Sequence, residues 1–78
     1  MHPQTQVHLI SGWEAVRAFD RAGWKVSRRE SSHIILVKVG VPVTLSIPDH
    51  REVKHGTLRS LIRKAGLSVD EFVLLLRS

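Results

Sequence analysis

The chain opens without a periodic pattern. Pro3 and its polar neighbours set no repeat, so residues 1–9 read as a loosely ordered leader, with Val7, Leu9 and Ile10 able to pack. From Ser11 the pattern changes. Ser11-x-x-Glu14 is a capping box, in which the hydroxyl takes one orphan amide of the first helical turn and the carboxylate reaches back to another. Trp13, Val16 and Phe19 then recur at spacings of three. Ala15 and Ala22 flank them, and Arg17, Asp20 and Arg21 fill the opposite side. The spacing predicts a helix over 12–22, stopped at Gly23, where glycine accepts the left-handed conformation of a helix end.

The period then shortens to two. Trp24 to Arg28 alternates apolar and polar residues, which predicts a half-buried strand. Arg29-Glu30-Ser31-Ser32 is a polar turn, and the β-branched run from His33 to Val39 predicts a central strand. After a turn at Gly40, Val41, Val43, Leu45 and Ile47 alternate with Pro42, Thr44 and Ser46. This predicts a third strand with one wet face and Pro42 near its start. Such spacing gives consecutive antiparallel strands. In the middle strand Ile34 and Leu36 point one way and Ile35, Val37 and Val39 the other. Both of its sides are therefore apolar, and one is suited to cover by another protein.

A polar loop, 48–55, leads to a second helix opened by Gly56-Thr57. Leu58, Leu61, Ile62 and Ala65 form one apolar face, and Gly66 ends it. Ser68-x-x-Glu71 is a second capping box and starts a third helix with Val69, Phe72, Val73 and Leu76 as its stripe. Leu74 and Leu75 exceed what one stripe needs. They are read as buried, a patch for a partner chain being the alternative. The order α-β-β-β-α-α predicts an α+β fold in a single domain, 1–78, with helices on one face of a three-stranded antiparallel sheet and the other face open.

Composition narrows the chemistry. The 78 residues include no cysteine, which removes disulfides, thiolate metal sites and thiol nucleophiles. No apolar run approaches the roughly 18 residues of a membrane span, and the N-terminus lacks the apolar core of a secretory signal, so the cytoplasm is the expected compartment. Twelve Lys and Arg against seven Asp and Glu leave a formal charge of +5. That balance favours a polyanionic partner, nucleic acid first and an acidic protein second.

His33 is the sharpest chemical candidate. Imidazole exchanges a proton near neutral pH, and Arg28 and Arg29 lie close in sequence to bind a phosphate. The alternative is a strand histidine kept for structure. Ser32 is not read as its nucleophile partner, because adjacent strand residues point to opposite faces. His50 and His55 bracket a loop with Asp49 and Glu52, but their spacing matches no zinc pattern, and no metal site is expected. The stretch from Arg51 to Lys64 is the strongest electrostatic feature. Lys54, His55, Gly56 and Thr57 sit where the free amides of a helix start already favour an anion, and Arg59 and Arg63 project from one side of the same helix. A solvated helix face is the alternative there.

These residues carry a family resemblance. Ser31-Ser32-His33-Ile34-Ile35 resembles the Gly-Ser-His-His-Ile strand opening of HicA-type toxins, which are mRNA interferases. Lys54-His55-Gly56-Thr57-Leu58-Arg59, continuing to Ala65-Gly66-Leu67-Ser68, is similar to that family's basic-Gly-Thr-Leu-Arg helix and its Ala-Gly-Leu-Ser close. Asp70-Glu71-Phe72 matches the family's ending, and Ala22-Gly23-Trp24 resembles its Leu-Gly-Phe. The likeness spans about residues 11–73. It departs at Ser31, where the family has glycine and where a turn with positive φ prefers glycine, and at Ile34, where a second histidine or another polar residue is common.

The resemblance implies a double-stranded-RNA-binding-domain-like fold and a small endoribonuclease that cleaves mRNA without metal or cofactor and arrests translation, and a single histidine as its apparatus predicts a slow enzyme. It implies His33 as the catalytic residue and a cognate HicB-type antitoxin as partner, whose acidic, RNase-H-like domain covers the toxin. On this expectation His33 is general base for the RNA 2′-OH. Arg28, Arg29 and Lys54 lie near the scissile phosphate, and Ser32, Thr57, Arg59 and Arg63 supply further RNA contacts. Two other expectations stand beside it: a non-catalytic RNA-binding module of the same fold, and an interaction protein that docks only an acidic partner.

Overall fold

The computed structural model describes residues 9–78. Val7, His2, His8 and most of the expected leader lie outside the described residues. The elements run α1 (Gly12–Arg21), β1 (Lys25–Glu30), β2 (His33–Val37), β3 (Leu45–Pro48), α2 (His55–Lys64) and α3 (Val69–Arg77). The strands form one antiparallel sheet in the order β1-β2-β3. The fold is α+β with the order read from the pattern. No helix among the described residues is long and apolar enough to cross a membrane.

Both capping boxes form. Ser11 Oγ accepts the Glu14 amide at 3.1 Å while Glu14 Oε1 accepts the Ser11 amide at 2.8 Å. Ser68 and Glu71 repeat the exchange at 3.0 and 2.7 Å. Each box satisfies two of the four amides a helix start leaves without partners. The start of α1 also fits closely against the end of β3. The Gly12 amide donates to the His50 carbonyl at 2.9 Å, and a Cβ at Gly12 would run into the Pro48 carbonyl oxygen. Glycine is required there by space.

The core lies between the helices and one face of the sheet. Phe19, Trp24, Ile34, Leu36, Leu45, Ile47 and Phe72 are sealed from water. Phe19 and Phe72 meet with ring centroids 5.0 Å apart in a tilted pair, which joins α3 to α1. α1 and α2 pack on β3, and Val16, Leu58, Leu61 and Ile62 of these helices close the cluster.

The strands depart from the expected pattern in three places. β1 is exposed along its whole length, with Val26 50% exposed, where alternation predicted a half-buried strand. Val26 pairs with Leu36 and Arg28 with Ile35, so Ser27 is the extra residue of a bulge. A bulge breaks the period of two and bends an edge strand away from its neighbours. Opposite Leu36, Val26 lies on the helix side of the sheet, but β1 is the edge strand and leaves it half exposed. β2 stops at Val37 rather than Val39, and Val39 lies in a turn in full contact with water. β3 begins at Leu45, so Val41 to Thr44 do not extend the ladder. Pro42 has no amide to give a neighbour, and this segment lacks the pairing its alternation suggested.

Smaller corrections concern the helices. Trp13, expected on the buried face of α1, is 43% exposed because Gly12 and Ala15 rather than Trp13 face the sheet. Leu74 is 67% exposed and Val69 is exposed, while Leu75 and Leu76 are half-buried. Phe72 is the one fully buried residue of α3, and Leu75 and Leu76 pack against the same core beside it.

Candidate functional site

The hairpin joining β1 to β2 builds the surroundings of His33. Its loop is the two residues Ser31 and Ser32, with Glu30 directly opposite His33. Ser31 takes φ of 56°, the only non-glycine positive φ among the described residues. Two-residue hairpin loops need positive φ at the first central position, where glycine is the residue of choice. Serine adopts it here at a cost of order 1 kcal/mol. The Asp49 amide donates to the Ser32 carbonyl at 2.8 Å, which extends the β2–β3 pairing past the strand end and pins the loop.

Register determines which side chains share a face, because directly opposed residues in an antiparallel pair project to the same side. Ile34 and Leu36 belong to the core, so His33, Ile35 and Val37 face away from the helices. Glu30 and Pro48 flank His33 from β1 and β3, and Arg28 and Ser46 flank Ile35. Ile35 is only 5% exposed although no helix covers it, and it stands outside the main core cluster. The open face therefore has an apolar centre at Ile35 with a half-buried imidazole beside it.

Arg28 and Arg29 are separated by this geometry. Arg28 shares the face of His33, and its Nε donates to Glu30 Oε2 at 2.6 Å. Arg29 pairs with Ile34 and so projects to the helix side, where its Nη2 donates to Asp49 Oδ2 at 2.5 Å. Both arginine side chains are more than half exposed. The Arg28–Glu30 pair is exposed on both sides and contributes about 0–1 kcal/mol, so a phosphate can displace Glu30 from Arg28 at little cost, whereas the Asp49 side chain is only 24% exposed and holds Arg29 more firmly. Ser32 is exposed at the loop.

The second basic group lies along α2. Lys54 occupies the N-cap position with extended backbone and no side-chain cap, and no acidic residue stands in the first turn. The leading amides of α2 and the exposed Thr57 thus face water beside Lys54 and His55. A six-residue loop, 49–54, connects this helix start to the end of β3, next to His33. Arg59 and Arg63 lie elsewhere. They line a shallow groove with Leu67, Ser68 and Val69 at the α2–α3 junction, on the helix layer and across the sheet from His33. The residues singled out in the sequence therefore form three groups: His33 with Arg28 on the open face, Lys54 with Thr57 at a helix start, and Arg59 with Arg63 toward α3. Among the described residues no cluster of His, Asp and Glu is arranged to hold a metal ion, His50 and His55 included.

Two acidic residues have roles the sequence did not give them. Glu30, not singled out from sequence, stands opposite His33 and bonds Arg28, and Asp49, considered only beside His50 and His55, holds Arg29. The Glu30–His33 opposition follows from a two-residue loop at Ser31-Ser32. It is legible once the turn is placed there rather than spread over 29–32.

The comparisons agree with this architecture. The chain is similar to a solved protein described as a toxin-antitoxin complex from Streptococcus pneumoniae, at 30% sequence identity and a TM-score of 0.68. That similarity covers 74% of this chain and 98% of the other. A search of curated protein sequences gives no match. The family described as HicA toxin of bacterial toxin-antitoxin matches residues 12–67, from the first residue of α1 to the turn that follows α2. With the motif at Ser32-His33 on the hairpin and the Gly-Thr-Leu-Arg start on α2 both inside that span, the chain belongs to the HicA toxin family.

Proposed function

We propose that this toxin acts as an endoribonuclease on mRNA, with His33 as its general base. The observation that carries the reading is the placement of His33. It occupies the histidine position of the family's motif, on the sheet face that no helix covers, beside an exposed arginine on the same face. The imidazole takes the proton of a 2′-OH, and the 2′-oxygen bonds to the adjacent phosphorus. The bond to the 5′-oxygen breaks, and that oxygen takes a proton from water. Arg28 stabilises the charge that builds on the phosphoryl oxygens. Lys54 and the first amides of α2, with Thr57, bind a neighbouring phosphate of the same strand. Arg29, Ser32, Arg59 and Arg63 contact the backbone further out. General acid–base catalysis by one residue supplies about 10²–10⁴-fold, so cleavage is slow, which suffices for growth arrest.

The antitoxin of the pair is a HicB-type protein whose acidic surface meets this basic chain, and both act in the cytoplasm. No metal takes part in this reading. The test is an RNA-cleavage assay on purified protein with EDTA present, run beside His33→Ala. Cleavage by the wild type alone supports the reading, and equal cleavage by His33→Ala overturns it. A second reading, a non-catalytic RNA-binding module, is favoured by one observation: Ser31 stands at positive φ just before the Ser32-His33 motif, where the family has glycine. RNA bound but uncut by the wild type would select it.

A further inference from the structure

The family match ends at Leu67, and α3 lies beyond it. α3 is nevertheless fastened to α1. Besides the Phe19–Phe72 ring pair, Arg21 Nη1 donates to the Leu75 carbonyl at 3.0 Å. Between the two helices runs a groove of about 450 Å³. Its floor is aliphatic, made by Ile10, Val73 and Leu76. Its rim is cationic, with Arg17 and Arg21 from α1 and Arg77 from α3. Among the described residues Glu14 is the single carboxylate on the lining, and it accepts the Ser11 amide in the capping box. Arg17 and Arg77 form no ion pair with any described residue. Trp13, one helical turn before Arg17, and Leu9, next to Ile10, add exposed apolar surface near the groove.

The chemistry of the lining selects the occupant. An aliphatic floor is wasted on a phosphate chain, and the lining offers no aromatic ring on which a base could stack. A second copy of this chain, at +5, would bring arginines against arginines. An amphipathic helix that is acidic on its flanks fits both features. Its leucine-like side chains at i, i+3, i+4 and i+7 fill a groove, and its carboxylates meet the guanidinium groups in charge-assisted bonds.

We propose that the α1–α3 groove docks an acidic amphipathic helix of a protein partner. The site lies on the helix layer, across the sheet from His33, so an occupant there leaves the His33 face open to its own ligand. The proposal stands whether or not His33 is catalytic.

The test uses the full chain and a synthetic peptide of about 14 residues, with leucines at the helical spacing above and glutamates between them. Trp13 is exposed and Trp24 is buried, so a blue shift of tryptophan emission reports docking near α1. Saturable binding is expected. It should weaken by about tenfold or more in the Arg17→Glu, Arg77→Glu double variant, whose exposed substitutions leave the melting transition unchanged. The same peptide with lysine in place of glutamate should not bind. Absence of saturable binding, or equal binding by the double variant, overturns the proposal. Displacement of the peptide by oligouridine of matching charge assigns the groove to RNA and overturns it. Self-association of the wild type that the double variant abolishes assigns it to a second copy and does the same.

Discussion

On the helix-covered face of the sheet, Ile34, Leu36, Leu45 and Ile47 are sealed under α1 and α2, whereas the opposite face holds His33, Arg28, Glu30 and Ser46 in water around Ile35. Both faces come from the same three strands and differ by a single residue step along each. The covered face is held by volume and shape, with aromatic and branched side chains in contact. The open face is held by register alone: a tight hairpin fixes Glu30 against His33, and exposed ion pairs leave the cations replaceable. Changes on the first face should therefore act on stability, and changes on the second on ligand binding.

The largest effect expected is from Phe72→Ala. It removes half of the Phe19–Phe72 pair and opens a cavity under α3, so unfolding free energy in denaturant titration should fall by about 3–5 kcal/mol. A loss below about 1 kcal/mol would mean that α3 is an appendage to the covered face and not part of it. Gly12→Ala comes next. Its methyl group meets the Pro48 carbonyl, and the junction of α1 with β3 must shift, which should cost about 1–3 kcal/mol by the same measurement.

Two substitutions should move stability the other way. Ser31→Gly relieves the positive φ of the hairpin loop and should gain up to about 1 kcal/mol, with the greater freedom of glycine in the unfolded chain offsetting part of it. Trp24 Nε1 is buried without an acceptor. Trp24→Phe removes that stranded donor and places the residue type of the family's Leu-Gly-Phe there, so the melting temperature should hold or rise slightly. A clear fall would show that the indole's bulk matters more than its unmet donor. The smallest stability effect belongs to Glu30→Gln on the open face. Unfolding free energy should change by less than about 1 kcal/mol, while RNA affinity in a filter-binding titration rises because Arg28 is released. Unchanged RNA affinity would remove Arg28 from the proposed contact.

The sequence was most legible where chemistry is local. Ser11 with Glu14 and Ser68 with Glu71 announce their helices because a capping box needs only four consecutive residues. Ser31 announced its strain because the position wants glycine. The strands were less legible. Val26 and Val43 alternate as buried residues do, but burial depends on which strand the helices lie over, and that is settled by tertiary packing rather than period. The bulge at Ser27 has no marker such as glycine. In the candidate site, His33 was visible as a residue, yet its face depends on register. The sorting of Arg28 and Arg29 to opposite sides follows from strand alternation, and it was hidden because Arg29 reads as part of the turn, whereas β1 runs on to Glu30.

The exposed β1 edge has a consequence for behaviour at high concentration. A free strand edge is a template on which further sheets can polymerise. Here a neighbouring copy would meet Lys25, Arg28 and Arg29 with the same three cations of its own, along a strand whose ladder is interrupted at Ser27. Growth of fibrils from this edge is thereby opposed twice, by charge and by broken periodicity, and the protein can accumulate without its hairpin seeding aggregation.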